Sequence, residues 1–200
     1  MFTNYKKFMA GLLALATGFA VSSNIVSAKA ATPTVLETST TSNISSLSEE
    51  EIAGLLFMRE EEKLARDVYN QLYELWRQPI FKNIAASEQM HMDQIKSLLD
   101  RYGLTDPALG PGQFADPALQ ALYNQLIAQG SLSLADALNV GALIENTDIA
   151  DLQTHLSQTN QADIQLVYTN LMNASYNHLA AFTGAQSQGY GKGRGNSPRR

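Results

Sequence analysis

Cysteine is absent from all 200 residues. That excludes disulfide scaffolds, thiol catalysis, iron–sulfur clusters and thiolate zinc sites together. Charge is sparse as well. Only 16% of residues are charged against 44% hydrophobic, which excludes a disordered polyelectrolyte and suits a packed core. Nor is there an excess of base: 14 Lys and Arg against 19 Asp and Glu leave a formal charge of −5. This balance argues against nucleic acid as the main partner. Sustained alternation of apolar and polar residues is missing too, so no sheet is expected. No Gly-rich phosphate loop follows a strand, and no Ser/His/Asp set has a fold to support it.

Long apolar runs are also lacking. Phe8 to Val21 covers about 14 residues, short of the ~20 needed to span a bilayer. Lys6 and Lys7 precede this run, and Ala28-Lys29-Ala30 follows it as a small-x-small cleavage pattern. A charged start, a short apolar stretch and a cleavage site describe a secretory signal peptide over residues 1–30. The expected mature protein is exported, periplasmic or extracellular, and is not integral to the membrane. Residues 31–46 form a Ser/Thr-rich linker with nothing to bury. Residues 185–200 form a Gly-rich tail ending in Lys192, Arg194, Arg199 and Arg200, expected as a solvated, disordered end. Without the three lysines of the leader the charge is −8; without the four bases of the tail as well, residues 31–188 carry −12.

The body, residues 47–184, reads as helix throughout. Ser48 with Glu51 forms a capping-box signal, and the helix it opens is expected to run to about Arg77. Pro79 restarts a second helix that Gly103 stops after Tyr102. A Pro-, Gly- and Asp-rich loop to Asp116 leads into a short helix over Pro117 to Gln129. Ser133 with Asp136 caps the third long helix, to about Ser157, and Asn160 begins the fourth, to Gly184. The connections between the first and second long helices, and between the third and fourth, are a few residues each. The spacing therefore predicts two antiparallel hairpins. One crossover of about 30 residues, carrying the short helix, joins them, which is the ferritin-like arrangement of an all-α four-helix bundle.

Helical phase puts ionisable groups where the core belongs. The first apolar stripe runs Phe57, Glu61, Leu64, Val68, Leu72, Leu75, with Glu60 or Glu62 as alternatives to Glu61. The second runs Ile84, Glu88, His91, Ile95, Leu98, and the third Leu138, Ala142, Glu145, Asp148 (or Ile149), Leu152. The fourth runs Ile164, Val167, Leu171, Ser175 (or Ala174), His178, Phe182. A buried unpaired carboxylate costs several kcal/mol, and four together cost far more or titrate upward. Two divalent metal ions would cancel Glu61, Glu88, Glu145 and Asp148. Glu88 and His91, at i and i+3, share one helix face. They form the Glu-x-x-His element of helical di-iron bundles, and the oxygen and imidazole donors favour iron or manganese, alone or mixed. His155 falls at an end of the bundle or on its surface. Met90, Met92 and the tyrosines Tyr69, Tyr102, Tyr168 and Tyr176 read chiefly as packing residues.

The segments Met58-Arg59-Glu60-Glu61-Glu62-Lys63-Leu64-Ala65-Arg66-Asp67-Val68-Tyr69 and Asn83-Ile84-Ala85-Ala86-Ser87-Glu88-Gln89-Met90-His91 carry a family resemblance. So do Ala142-Leu143-Ile144-Glu145 with Asp148-Ile149, and Tyr176-Asn177-His178-Leu179-Ala180-Ala181-Phe182. The chain resembles ferritin-like proteins with rubrerythrin-type helices, and most closely the family of the domain of unknown function 2202. The resemblance covers Leu47 to Thr183. It implies a bundle holding a pair of metals and, in better-known relatives, reaction with dioxygen or peroxide. Rubrerythrin-like proteins carry a second Glu-x-x-His on the last helix. Here that element reads Ser175-x-x-His178, so one carboxylate is missing, and the resemblance offers Asp148 as its replacement. The expected ligands are thus Glu61, Glu88, His91, Glu145, Asp148 and His178. The expected partners are metal ions and small oxidants, with a homo-oligomer compatible. Two activities fit: an oxidoreductase acting with ferrous iron, dioxygen or peroxide, or a non-catalytic metal-binding bundle of the cell envelope.

Overall fold

The computed structural model describes residues 47–187. The expected signal peptide over 1–30, the linker over 31–46 and the tail beyond residue 187 lie outside the described residues. Five helices and no strand occur among the described residues: α1 (Glu49–Trp76), α2 (Pro79–Tyr102), α3 (Pro117–Gly130), α4 (Leu134–Ser157) and α5 (Ala162–Ser187). None is long and apolar enough to cross a membrane.

Local chemistry sets the helix ends. Ser48 Oγ accepts from the Glu51 amide at 3.1 Å while the Ser48 amide donates to Glu51 Oε2 at 2.9 Å, a complete capping box worth about 1 kcal/mol. Arg77 ends α1 in the left-handed region, φ 55°, and Pro79 sits in the first turn of α2, where its missing N–H costs nothing. Gly103, φ 68°, ends α2 in the same region, where a side chain would be strained. Ser133 Oγ caps α4 by accepting from the Asp136 amide at 3.0 Å. α5 runs on to Ser187, past the expected stop at Gly184. The reason is tertiary: Gln186 donates to Asn139 Oδ1 of α4 at 3.1 Å and ties down the last turn.

Cross-helix partners fix the directions. Arg66 meets Gln89, Glu62 meets His91 and Arg59 meets the Met92 carbonyl, so α1 and α2 are antiparallel. Gln186 with Asn139, and Ser175 with Asp148, make α4 and α5 antiparallel. Tyr69 with Glu145 and Gly54 with His155 set α4 antiparallel to α1; Ser87 with His178 and Tyr102 with Asp163 set α5 antiparallel to α2. α2 and α4 therefore run parallel, and residues 103–133 must travel the length of the helices to join them. α3, inside that connection, packs on α1 and α4.

The apolar interior forms two clusters. One includes Val68, Tyr69, Leu72, Phe81, Leu138 and Phe182; the other includes Leu55, Met58, Ile95, Leu99, Leu152 and Leu171. Along every long helix buried polar residues lie between these clusters.

The run Met58–Ala65 is buried without interruption, including Glu60, Glu61, Glu62 and fully enclosed Lys63. A charge run on a helix is ordinarily a solvated face, but α1 is contacted by α2, α3 and α4 and by the crossing loop. Arg59 forks onto Asp106 at 2.7 and 2.9 Å. Glu60 accepts from the Ala115 amide at 2.8 Å. Lys63 donates to Asp67 at 2.6 Å and to the Gln113 carbonyl at 2.9 Å, and lies 4.1 Å above the Phe114 ring. Asp67 in turn accepts from the Gly112 amide at 2.9 Å. These charges clamp the loop onto α1.

Candidate metal centre

α2 carries the hub. Glu88 and His91 lie on adjacent turns of its inward face, with His91 Nδ1 2.7 Å from Glu88 Oε2. α1 adds Glu62, whose Oε2 lies 3.1 Å from the same nitrogen. On the other side, His178 of α5 places Nδ1 2.9 Å from Glu88 Oε1 and 3.4 Å from Glu145 Oε2 of α4. Two sets result, Glu62–Glu88–His91 and Glu88–Glu145–His178, each with donor atoms within 4.8 Å of one another. Glu88 belongs to both. The imidazole rings stack with centroids 5.6 Å apart.

Hydrogen bonds behind the sets aim their donors. Ser87 Oγ lies 3.4 Å from Nε2 of His91 and 3.1 Å from Nε2 of His178. A hydroxyl has two acceptor lone pairs, so with both Nε2 atoms protonated it receives both rings and leaves each Nδ1 lone pair facing the carboxylates. Tyr69, fully buried, donates to Glu145 Oε1 at 2.6 Å. Ser175 donates to Asp148 Oδ2 and so stands where a carboxylate of α5 was missing.

The electrostatics are those of acids crowded out of water. Burial, then the charge of Asp148, raises Glu62 well above the ordinary carboxylate range, with the His91 hydrogen bond opposing. Burial raises Glu145 to about 6 against the pull of His178. Asp148 rises to about 8 through burial, with Ser175 opposing and Glu145 and Glu88 reinforcing. Burial would raise Glu88 as well, but hydrogen bonds from His178 and His91 hold it at about 2. Burial disfavours charge on the imidazoles, yet their carboxylate partners lift His91 to about 11 and His178 to about 9.

Divalent cations fit this donor set. Glu88 Oε1 and His178 Nδ1 are buried facing one another, and Glu62 Oε1 and Asp148 Oδ1 are buried without any hydrogen-bond partner. Each such atom costs about 1–3 kcal/mol, and carboxylate oxygen with imidazole nitrogen is a transition-metal ligand combination. Glu62, Glu88, Glu145 and Asp148 together match the charge of two divalent ions.

The structure thus brings Glu88, His91, Glu145 and His178 together, with Asp148 beside them and tied to Ser175. Glu61 stands apart from the two sets: it is buried toward Asp151 and Asp148, and its neighbour Glu62 meets His91. Helical phase could not separate these neighbours, because α1 is enclosed on all sides at that level. Sequence reasoning did not single out Ser87 or Asp151. Ser87 had one legible signal: it stands four residues before His91 and so shares its helix face. His155 lies in the last turn of α4, at the end position expected for it, and is half-buried there between Phe57 and Tyr168 with Nδ1 3.1 Å from Gln158 Oε1.

Fold and site together define an all-helical protein with a buried, paired acid–histidine cluster. The chain belongs to the family described as "Uncharacterized protein domain (DUF2202)", whose profile matches residues 51–192. It is 53% identical over 138 residues to the uncharacterized protein MJ0754 of Methanocaldococcus jannaschii, covering 68% of this chain and 75% of that one. The crystal structure of the hypothetical protein MJ0754 superposes with a TM-score of 0.68 at 52% identity, covering 69% of this chain and 80% of that chain. The crystal structure of a DUF305 fragment from Deinococcus radiodurans shares the fold alone: TM-score 0.57, 14% identity, covering 72% of this chain and 99% of that chain.

Proposed function

We propose that this is an exported, ferritin-like four-helix-bundle protein that holds two divalent metal ions, iron in particular, for oxidoreductase chemistry. The observation that carries this reading is Glu88, one carboxylate facing two imidazoles, each completed by an acid from a further helix. The antiparallel packing of α1, α2, α4 and α5, with a crossover between parallel α2 and α4, supports the bundle assignment. The leader over residues 1–30 supports export.

Glu62 and His91 would serve one metal, Glu145 and His178 the other, and Glu88 both, with Asp148 in reserve. The chemistry such a bound pair would supply is electron transfer to dioxygen or peroxide. The chain's own part is to exclude bulk water, to orient both imidazoles through Ser87 and to hold Glu145 through Tyr69.

Metal analysis of untagged protein tests the reading directly: two ions per chain are expected. A Glu88→Ala, His91→Ala double variant that kept its full metal content would refute it. Ser175 favours a second reading, a metal-binding bundle without turnover, since α5 offers no carboxylate of its own to the site. Anaerobic ferrous loading followed by air separates the two. Dioxygen consumption scaling with bound iron supports the oxidoreductase, and none supports the binding protein.

A further inference from the structure

α4 carries three acids at intervals of three residues: Glu145, Asp148 and Asp151. Each step rises about 4.5 Å along one helix face. The first belongs to the paired centre and the second is enclosed beside it, whereas Asp151 is half-buried at the flank where α4 meets α1. Across that seam stands Glu61 of α1, only 5% exposed, with the charges of Asp151 and Asp148 nearby. Glu61 Oε2, Asp148 Oδ1 and Asp151 Oδ2 are all buried and without partners. Among the described residues no lysine or arginine pairs with any of the three. Acceptor-only oxygens so placed are matched by cations that take oxygen ligands.

We propose that Asp151, Glu61 and Asp148 form an acidic ladder that conducts divalent cations from the α1–α4 flank to the paired centre. The inference rests on the metal-binding reading above. Opposed carboxylates on α1 and α4 compensate a divalent charge as it leaves water. Yet these acids do not gather into one compact ligand set; among the described residues only the Glu62–Glu88–His91 and Glu88–Glu145–His178 groups do. An ion therefore pauses on the ladder and settles at the histidines.

Stopped-flow loading of the metal-free protein with Co2+, followed by its ligand-field absorption, tests the route. Asp151→Asn and Glu61→Gln keep side-chain size, and circular dichroism checks that each variant folds. Loading is expected to slow roughly ten-fold or more, the scale on which focused charge alters association rates. Release into chelator should slow in parallel, and the final stoichiometry should stay at that of the unaltered protein. Loading of both folded variants at the unaltered rate would overturn the ladder. A lost ion at equilibrium would also overturn it, because the altered acid would then be a ligand of the pair. Failure of the unaltered protein to take up Co2+ would remove the paired centre itself, and the ladder with it.

Discussion

The phenol of Tyr69 donates a 2.6 Å hydrogen bond to Glu145 Oε1 inside a fully buried contact between α1 and α4. The Glu145 carboxylate thereby turns its second oxygen toward His178. Replacement by Phe keeps the ring against Phe182, 5.3 Å away, and removes only the donor. Tyr69→Phe should leave the fold intact and cost about 1–3 kcal/mol in the metal-free protein. Metal affinity should fall roughly 10–100-fold, as for other residues that orient ligands. Urea titration and competitive chelator titration measure the two effects, and unchanged affinity would count against Tyr69 as a positioning residue.

Lys63 is wholly enclosed and bonds Asp67 and the Gln113 carbonyl. Arg66 stays paired with Asp67 at 2.7 Å when Lys63 is removed, so the cost is that of lost charge-assisted hydrogen bonds, about 1.5–3 kcal/mol. Lys63→Ala should show a loss of this order in chemical unfolding. It should also open residues 103–116 to limited proteolysis earlier than the helices. A variant with unchanged unfolding and unchanged cleavage would mean that the loop is held elsewhere.

Stability of the metal-free protein should fall as pH rises from about 5 to 8. Glu145 and Asp148 have folded-state values raised to about 6 and about 8. Their contribution is complete below the ordinary carboxylate values and is lost as pH climbs through the raised ones. His178 and His91, raised to about 9 and about 11, act with the same sign at higher pH. Glu88, held at about 2, acts oppositely and only in strong acid. Metal binding displaces these protons, so stabilisation by added metal should be larger at pH 8 than at pH 6. Thermal melts with and without chelator across this range check both signs; a metal-free protein that gains stability from pH 5 to 8 would contradict them.

Gly141 on α4 lies under the Phe182 ring, where an added Cβ would come within 2.5 Å of ring carbon. Alanine is the better helix former by about 1 kcal/mol, but overpacking a filled core costs about 1–3 kcal/mol. Phe182 also touches Tyr69 and Phe81, so its ring has little room to move. Gly141→Ala should therefore lower the melting temperature in spite of its propensity. A rise would show that Phe182 can shift.

How much was legible in the sequence differs between helices. On α2 the steps Ile84, Glu88, His91, Ile95 were enough, because that helix buries one stripe and exposes the opposite side, where Asp93 and Ser97 lie. On α1 periodicity could not choose between Glu61 and Glu62, since neighbouring residues separated by about 100° are buried alike when every side is covered. The same enclosure hid the role of Glu60, Lys63 and Asp67, which hold a loop remote in sequence.

Amino-acid order by itself determined the helices, their caps at Ser48, Gly103 and Ser133, and the acids and imidazoles in mid-stripe, because those signals depend on neighbours within a few residues. Only the tertiary structure decided that Glu62 meets His91, that Glu61 turns to Asp151, and that Ser87 and Tyr69 aim the cluster. Each of these depends on the rotation of one helix against another, which the packing of both apolar clusters and the crossing loop settles jointly.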